Sequence, residues 1–368
     1  MNHPLPIGAL DRVTLASART DRPLHHIAIV TDAWFPQMNG VVRTLSTTVE
    51  HLRGQGYEVS VISPDGFASF PCPTYPEIRL AVTRPGAIGR RLAKASPDAI
   101  HIATEGPLGI AARRHCIRKG IPFTSAYHTQ FPAYAARRTH LPESLFWHFM
   151  RWFHRPASRI MVATHSIRRE LRAQGIGNDR GQLHHWSRGV DLDCFSPDAT
   201  PPQEFAGLER PIQLYVGRIA VEKNIEAFLD TRHPGTKVVV GDGPARAALE
   251  ARYPDAVFLG SRKGRALAGC YAAADVFVFP SKTDTFGLVM IEALACGTPI
   301  AAYPVAGPVD ILTDRVGAMS DTLERAIAAA VFCRRADCIA YGAQFSWKTA
   351  TDQFVSGLRA FGTGSPAG

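Results

Sequence analysis

Residues 276–299 read Val276-Phe-Val-Phe279-Pro280-Ser281-Lys-Thr-Asp284-Thr-Phe-Gly287-Leu-Val-Met-Ile-Glu292-Ala-Leu-Ala-Cys-Gly297-Thr-Pro299. An apolar run of four, a polar loop and then glycine before an apolar helical stretch is a buried parallel strand feeding a helix. Phe286-Gly287-Leu288 should open that helix, and its free backbone N–H groups can hold phosphate or sugar oxygens. Glu292 is expected about two turns in. Eight residues of helix span roughly 12 Å. Asp284 and Glu292 therefore cannot flank one bond as a retaining glycosidase's carboxylates do, at about 5 Å. They read as two grips on one elongated ligand, such as a sugar and a ribose.

The same unit recurs on both sides. Ile212–Val216 ends on Gly217, Lys237–Val240 on Gly241 and Val257–Leu259 on Gly260. Ending strands on glycine or proline before a helix is the doubly wound habit. Upstream, His26–Asp32, Tyr57–Ile62, Ala99–Ile102, Pro122–Ala126 and Ile160–Ala163 alternate with helical stretches. The fold class is α/β, with two Rossmann-like domains facing a cleft. The expected organisation is a flexible leader over 1–24, a first domain over 25–200 and a proline-rich linker over 201–210. A second domain over 211–345 follows. A C-terminal helix and tail over 346–368 would pack back on the first domain.

The chain has 368 residues and a net charge of +9. Residues 1–200 hold 24 Lys and Arg against 15 Asp and Glu, and the remainder 17 against 17. The whole excess lies in the first half, which points to an anionic partner or to a solvated basic face. Seven cysteines (72, 116, 194, 270, 296, 333 and 338) form no C-x-x-C pair, which reads as reduced thiols without a zinc site or disulfide framework. No run approaches the roughly 20 apolar residues that span a bilayer.

Arg218 and Lys223, five apart after a strand, can both reach phosphate oxygens in the cleft. His128, after the strand ending at Ala126, can donate a hydrogen bond or share a proton at a reacting centre. Asp191-Leu-Asp193 has the form of a metal-binding D-x-D, but its place before the linker makes it a structural turn. Gly241-Asp-Gly243 lacks the third glycine of a dinucleotide fingerprint. Between 133 and 172, Arg137, Arg138, Arg151, Arg155, Arg159, Arg168, Arg169 and Arg172 face only Glu143 and Glu170, with Phe146, Trp147, Phe149, Met150, Trp152 and Phe153 interleaved. Such a mixture suits an interfacial helix on an anionic membrane, or single-stranded nucleic acid. Core aromatics with solvated arginines are the structural alternative.

The motifs in combination resemble glycosyltransferase family 4, with its GT-B fold. They are the Pro-x-x-Asn-Gly-Val loop at 36–41, Tyr127-His128-Thr129, Ser187-Arg-Gly-Val-Asp191, Gly217-Arg218 with Lys223, and Ser281 to Glu292. The likeness runs from about Ile27 to the C-terminus. Thr283–Leu288 and Ala302–Pro308 are most similar to GDP-mannose-dependent α-mannosyltransferases and glycolipid-forming relatives. The resemblance implies a donor site of Gly40, Arg218, Lys223, Asp284, the backbone of Phe286, Gly287, Leu288 and Val289, and Glu292 on the ribose. Asp284 stands where the family usually has Glu. His128, Arg218, Lys223 and Asp284 would be the catalytic residues, and Arg137, Arg138, Trp147, Arg151, Trp152 and Arg155 the membrane or acceptor face.

The resemblance implies a retaining reaction with no metal or other cofactor, the nucleotide sugar being a co-substrate. That agrees with the residues: two cations and a helix N-terminus can take up the charge of a leaving diphosphate. The expected partners are a nucleotide-sugar donor, a lipid or glycan acceptor and the cytoplasmic face of the cell membrane, with no nucleic acid. The competing readings are a UDP-sugar-dependent diacylglycerol glycosyltransferase and a sugar-nucleotide epimerase of GT-B shape.

Overall fold

Ile27, Ala28, Ile29 and Val30 are fully excluded from solvent, as a strand covered on both faces requires. They form β1 (His26–Val30) in a computed structural model that describes residues 24–37, 39–72, 75–84, 86–177, 181–282 and 286–361. The first half continues with β2 (Glu58–Ile62), an antiparallel hairpin of β3 (Ser69–Cys72) and β4 (Tyr75–Ala81), then β5 (Ala99–Ile102), β6 (Thr124–Tyr127), β7 (Arg159–Val162) and β8 (Leu183–His185). The second half carries β9 (Gln213–Val216), β10 (Lys237–Val240), β11 (Val257–Gly260), β12 (Val276–Phe279), β13 (Ile300–Ala302) and β14 (Gly317–Met319).

Each half folds as one six-stranded parallel sheet. The orders are β2-β1-β5-β6-β7-β8 and β11-β10-β9-β12-β13-β14. Strand order reverses between β1 and β5 in one sheet and between β9 and β12 in the other. Open parallel sheets bind ligands outside the carboxyl ends of their strands at these reversals.

Apolar layers cover both faces of each sheet. On one face of the first, Leu45, Val49 and Leu52 of the Gly40–Gly54 helix pack against Ile27 and Ile29. On the other, Leu108, Ala112, Met150 and Phe153 cover Ala28, Val30 and Ile102. The 201–210 stretch, expected as a linker, is anchored rather than loose. Phe205, in a short 3₁₀ turn, is buried in the core of the second domain.

The chain then returns. The Trp347–Gly357 helix lies against the first sheet, where Phe354 is fully buried beside Trp186 and His101. The Gln353 carboxamide oxygen accepts from the Ser187 amide at 2.8 Å. Val190 donates to the Phe345 carbonyl at 2.8 Å and pairs with Ser346 as an isolated parallel bridge. Gly189 lets this crossing close, since a Cβ there would lie 2.4 Å from the Trp347 nitrogen. The leader through residue 23 and the tail from residue 362 lie outside the described residues. Among the described residues no helix is long and apolar enough to cross a membrane.

Candidate active site

The loop leaving β1 delivers two side chains and a glycine to the reversal point of the first sheet. Asp32 is buried and accepts from the Leu108 amide at 2.9 Å, the Gly109 amide at 3.3 Å and the Thr104 hydroxyl at 2.9 Å. It caps the Pro107–Lys119 helix. Burial raises its pKa while these donors pull it down. Asn39 caps the next helix through Oδ1, which accepts from Val41 and Val42 at 3.0 Å each. Such a cap is worth about 1 kcal/mol. Gly40 begins that helix. A Cβ on it would meet no protein atom within 4 Å, so the space beside it is open.

The facing loops leave β9 and β12, which are neighbours in the second sheet. Arg218 is exposed and Lys223 half-buried, the latter closing a 3₁₀ turn. The Tyr215 hydroxyl donates to the Arg218 carbonyl at 2.9 Å, and the Asn224 carboxamide to the Pro280 carbonyl at 3.1 Å. The second bond ties the cation loop to the end of β12. Asp284 lies outside the described residues. Phe286 turns its ring into the core against Phe345, which leaves only its backbone for a ligand. Gly287 precedes the Leu288–Ala295 helix with φ +84, a conformation that favours glycine. A Cβ there would also press on Met290 and Phe279 at about 3 Å. The helix starts at Leu288, so Glu292 sits little more than one turn in, closer to the N-terminus than the expected two.

Glu292 is 1% exposed, and its carboxylate is held from two sides. The Tyr271 hydroxyl donates to Oε2 at 3.1 Å. Arg43, one turn into the Gly40–Gly54 helix of the first domain, pairs with Oε1. Its guanidinium also lies 5.9 Å from the centre of the Phe195 ring. The two domains thus touch through an ion pair across the cleft, at the residue expected to bind ribose. A second contact joins the Asp310 carboxylate to the Ser166 amide at 2.9 Å. Burial raises the Glu292 pKa, with Arg43 and Tyr271 opposing it. The Tyr271 phenol, buried against that carboxylate, is raised well above its usual value.

His128 follows β6 in the first domain. Its Nδ1 lies 3.2 Å from Arg188 Nη2, and its ring meets Trp186 edge-on at 5.5 Å. A helical hairpin leaves the same strand end, through Phe131–Thr139 and Glu143–His154. The membrane or acceptor set divides here. Arg137, Trp152 and Arg155 are exposed, as are Leu141 and Leu145. Arg151 is half-buried and donates to the Gln174 carbonyl at 3.1 Å. The Arg138 side chain lies outside the described residues. Trp147 is a correction. It is 4% exposed, stacks on Tyr127 with centroids 6.3 Å apart, and donates Nε1 to Glu143 at 2.9 Å. Trp147, Met150 and Phe153 form one buried helical stripe, so these three of the interleaved residues belong to the core. Asp191 accepts from the amides of Asp193 and Cys194 at 3.1 Å each, the expected turn.

Arg43, Tyr271 and the role of Arg188 escape a reading of the sequence alone. Arg43 belongs to none of the quoted motifs, although its place three residues after Gly40 sets it on the first turn. Arg188 lies inside a quoted motif, but its contact with His128 spans 60 residues.

The Arg43–Glu292 pair has a pH signature. A carboxyl whose folded pKa lies above its unfolded value, here 4.5, adds stability in full below that value and loses it as pH rises through the folded one. Arg43→Ala removes a cation that lowers the folded pKa, so it should deepen this loss. Thermal denaturation from about pH 5 to about pH 8 should show a steeper fall in Tm for Arg43→Ala than for the wild type. Equal slopes would contradict the pairing.

Comparison with known proteins places this geometry. Residues 38–194 match the profile of Glycosyltransferase Family 4, and residues 210–333 that of Glycosyl transferases group 1. The chain is 33% identical over 310 residues to a GDP-mannose-dependent alpha-mannosyltransferase of Mycobacterium tuberculosis, covering 78% of this chain and 81% of that protein. It is 30% identical over 330 residues to the sulfoquinovosyl transferase SQD2 of Arabidopsis thaliana, covering 83% of this chain and 64% of that one. Among solved structures, sucrose-phosphate synthase from Thermosynechococcus elongatus superposes with a TM-score of 0.70 at 20% identity, over 90% of this chain and 98% of that one. Anabaena HepE in complex with UDP and glucose gives 0.65 at 15% identity, over 90% and 98%. With its two parallel sheets and these relatives, the chain belongs to the family 4 glycosyltransferases of GT-B fold and is a hexosyltransferase.

Proposed function

We propose that the protein is a retaining, metal-independent transferase that moves mannose from GDP-mannose to a lipid-linked or glycan acceptor at the cytoplasmic face of the membrane. The carrying observation is the pairing of neighbouring loops at the second sheet's reversal point. One holds Arg218 and Lys223, and the other leads to a helix N-terminus with Glu292 just inside it. In this reading Glu292 takes the ribose hydroxyls after Arg43 yields. Arg218, Lys223 and the N–H groups of Leu288 and Val289 then face the diphosphate. Gly40 leaves room for it from the other domain. The sugar reaches toward His128 of the first domain, and Asp284, by its place in the motif, would bind it as well.

The chemistry is a front-face displacement. The anomeric carbon's bond to the diphosphate oxygen breaks as the acceptor hydroxyl attacks from the same face. The departing phosphate oxygen takes that hydroxyl's proton, so configuration is retained. Charge developing on the leaving group is met by fixed cations and helix dipole, which act more strongly in a water-poor cleft than in water. The identity to mannosyltransferases supports mannose and GDP. The sulfoquinovosyl transferase relative keeps a UDP-sugar-dependent glycolipid reaction as the second reading.

The acceptor side rests on the hairpin after His128. Leu141, Leu145 and Trp152 are each more than two-fifths exposed, beside Arg137 and Arg155. Apolar tips among cations suit an anionic bilayer, and the hairpin would bring a lipid acceptor to the strand end that carries His128.

Two measurements test this reading. Arg218→Ala should fold normally and lose about 10²–10³ in kcat for sugar transfer, the cost of removing one transition-state charge partner. Retention of most of its turnover would sink the charge-stabilisation step. Reversing Arg137 and Arg155 to Glu should weaken binding to anionic vesicles by about tenfold or more, at about 1 kcal/mol per cation near the surface, with nucleotide binding unchanged. A wild type that ignores anionic vesicles returns the charge to a solvated face.

A further inference from the structure

Arg188 is 5% exposed and makes no ion pair with a carboxylate among the described residues. Nη1 donates to the carbonyls of Trp186 at 2.7 Å and Ser187 at 3.0 Å. The guanidinium lies 4.4 Å from the centre of the Trp186 ring. These contacts leave it one orientation, in which Nη2 points at His128 Nδ1, 3.2 Å away. A guanidinium has only donors, so Nδ1 must accept. A neutral imidazole accepting at Nδ1 carries its proton at Nε2.

We propose that Arg188 is a positioning residue that locks His128 as the Nε2–H tautomer, making it a fixed hydrogen-bond donor to a ligand oxygen and excluding it as a general base. This rests on the reading that His128 faces the reacting sugar. The matching ligand atom is an acceptor: a hydroxyl, ring or glycosidic oxygen of the transferred sugar, or an oxygen of the leaving phosphate. Protonating His128 would set two donors and two positive charges against each other at Nδ1.

The surroundings act in the same direction. From β5, His101 stands behind the site. It is fully buried, with Nδ1 2.9 Å from the Thr124 hydroxyl, and burial holds its pKa down to about 3. From the segment after β8, Arg188 supplies the cation and Trp186 an uncharged edge. From β6 itself, Tyr127 is the adjoining titratable residue. Burial and then Arg188 lower the His128 pKa well below the usual 6.5. With Nε2 already carrying a proton, the acceptor hydroxyl's proton goes elsewhere, in keeping with the leaving phosphate oxygen taking it.

The test is ¹⁵N-histidine NMR on the full-length protein, with His128 assigned by His128→Gln. Long-range ¹⁵N–¹H couplings distinguish the two neutral tautomers. The wild type should show a protonated Nε2 and an unprotonated Nδ1, with no titration of His128 through the ordinary histidine range near 6.5. Arg188→Met should give a mixed tautomer or a titrating ring, and Arg188→Lys, which keeps a donor, should recover the Nε2–H form. A protonated Nδ1 or titration near 6.5 in the wild type overturns the proposal whatever a transfer assay shows. The Nε2–H tautomer in the wild type, lost in Arg188→Met and regained in Arg188→Lys, upholds the lock whatever the donor proves to be. Arg188→Met keeping a pure, non-titrating Nε2–H form also overturns it, and should Arg188→Met fail to fold, Arg188→Lys and the assigned wild-type resonance carry the test.

Discussion

The cleft depends on a crossing of two chain segments. Gly189 and Val190, leaving the first sheet, meet Phe345 to Trp347, returning from the second, through one hydrogen bond, one β-bridge and a contact that admits no side chain at 189. The returning helix is then fastened by Phe354 in the core and by Gln353 on Ser187. Two sheets joined by a single linker would be free to swing. Joined twice, they hold their strand ends opposite one another, and the Arg43–Glu292 contact becomes possible. The second crossing sits one residue from Arg188, so the clamp and the lock on His128 share a backbone.

Charge at the cleft is managed in three ways. Asp32 is held at a helix N-terminus by three hydrogen bonds. Glu292 is buried yet answered by Arg43 from the other domain, a partner that a ribose hydroxyl pair would replace on the proposed reading. Arg188 sits against carbonyls and a ring face, with no carboxylate partner among the described residues, and so adds a positive field behind His128. Breaking a buried pair is more costly than never making it. On the proposed reading, the ligand's two hydroxyls would have to meet that cost when they take Arg43's place on Glu292.

Much of this was legible in the sequence, for identifiable reasons. β1, β2, β5, β6, β7 and β9 to β12 are short apolar runs closed by glycine, proline or polar residues, and local pattern is enough to find them. β8 carries two histidines, β13 and β14 have three residues each, and β3 and β4 contain Pro71 and Pro76, so none gave a periodic signal. Gly40, Arg218, Lys223 and Glu292 could be singled out because their motifs are local, and the structure sets them on loops or helix starts after β1, β9 and β12. Arg43, Tyr271 and Arg188 were missed because their partners lie 60 residues or more away, or, for Tyr271 and Glu292, on successive helices. Trp147 was misassigned because composition shows aromatics among arginines and not which face each takes; the three- and four-residue spacing of Trp147, Met150 and His154 held that answer.

On the proposed reading this cleft binds a nucleotide sugar through Glu292 and the Arg218–Lys223 loop. Thermal unfolding with GDP, UDP and their sugar conjugates tests it most directly. A ligand at about 100 times its dissociation constant should stabilise the protein by roughly 2.7 kcal/mol, with GDP and GDP-mannose giving the largest shifts and Glu292→Ala abolishing them. A melting curve unmoved by every nucleotide would contradict the account.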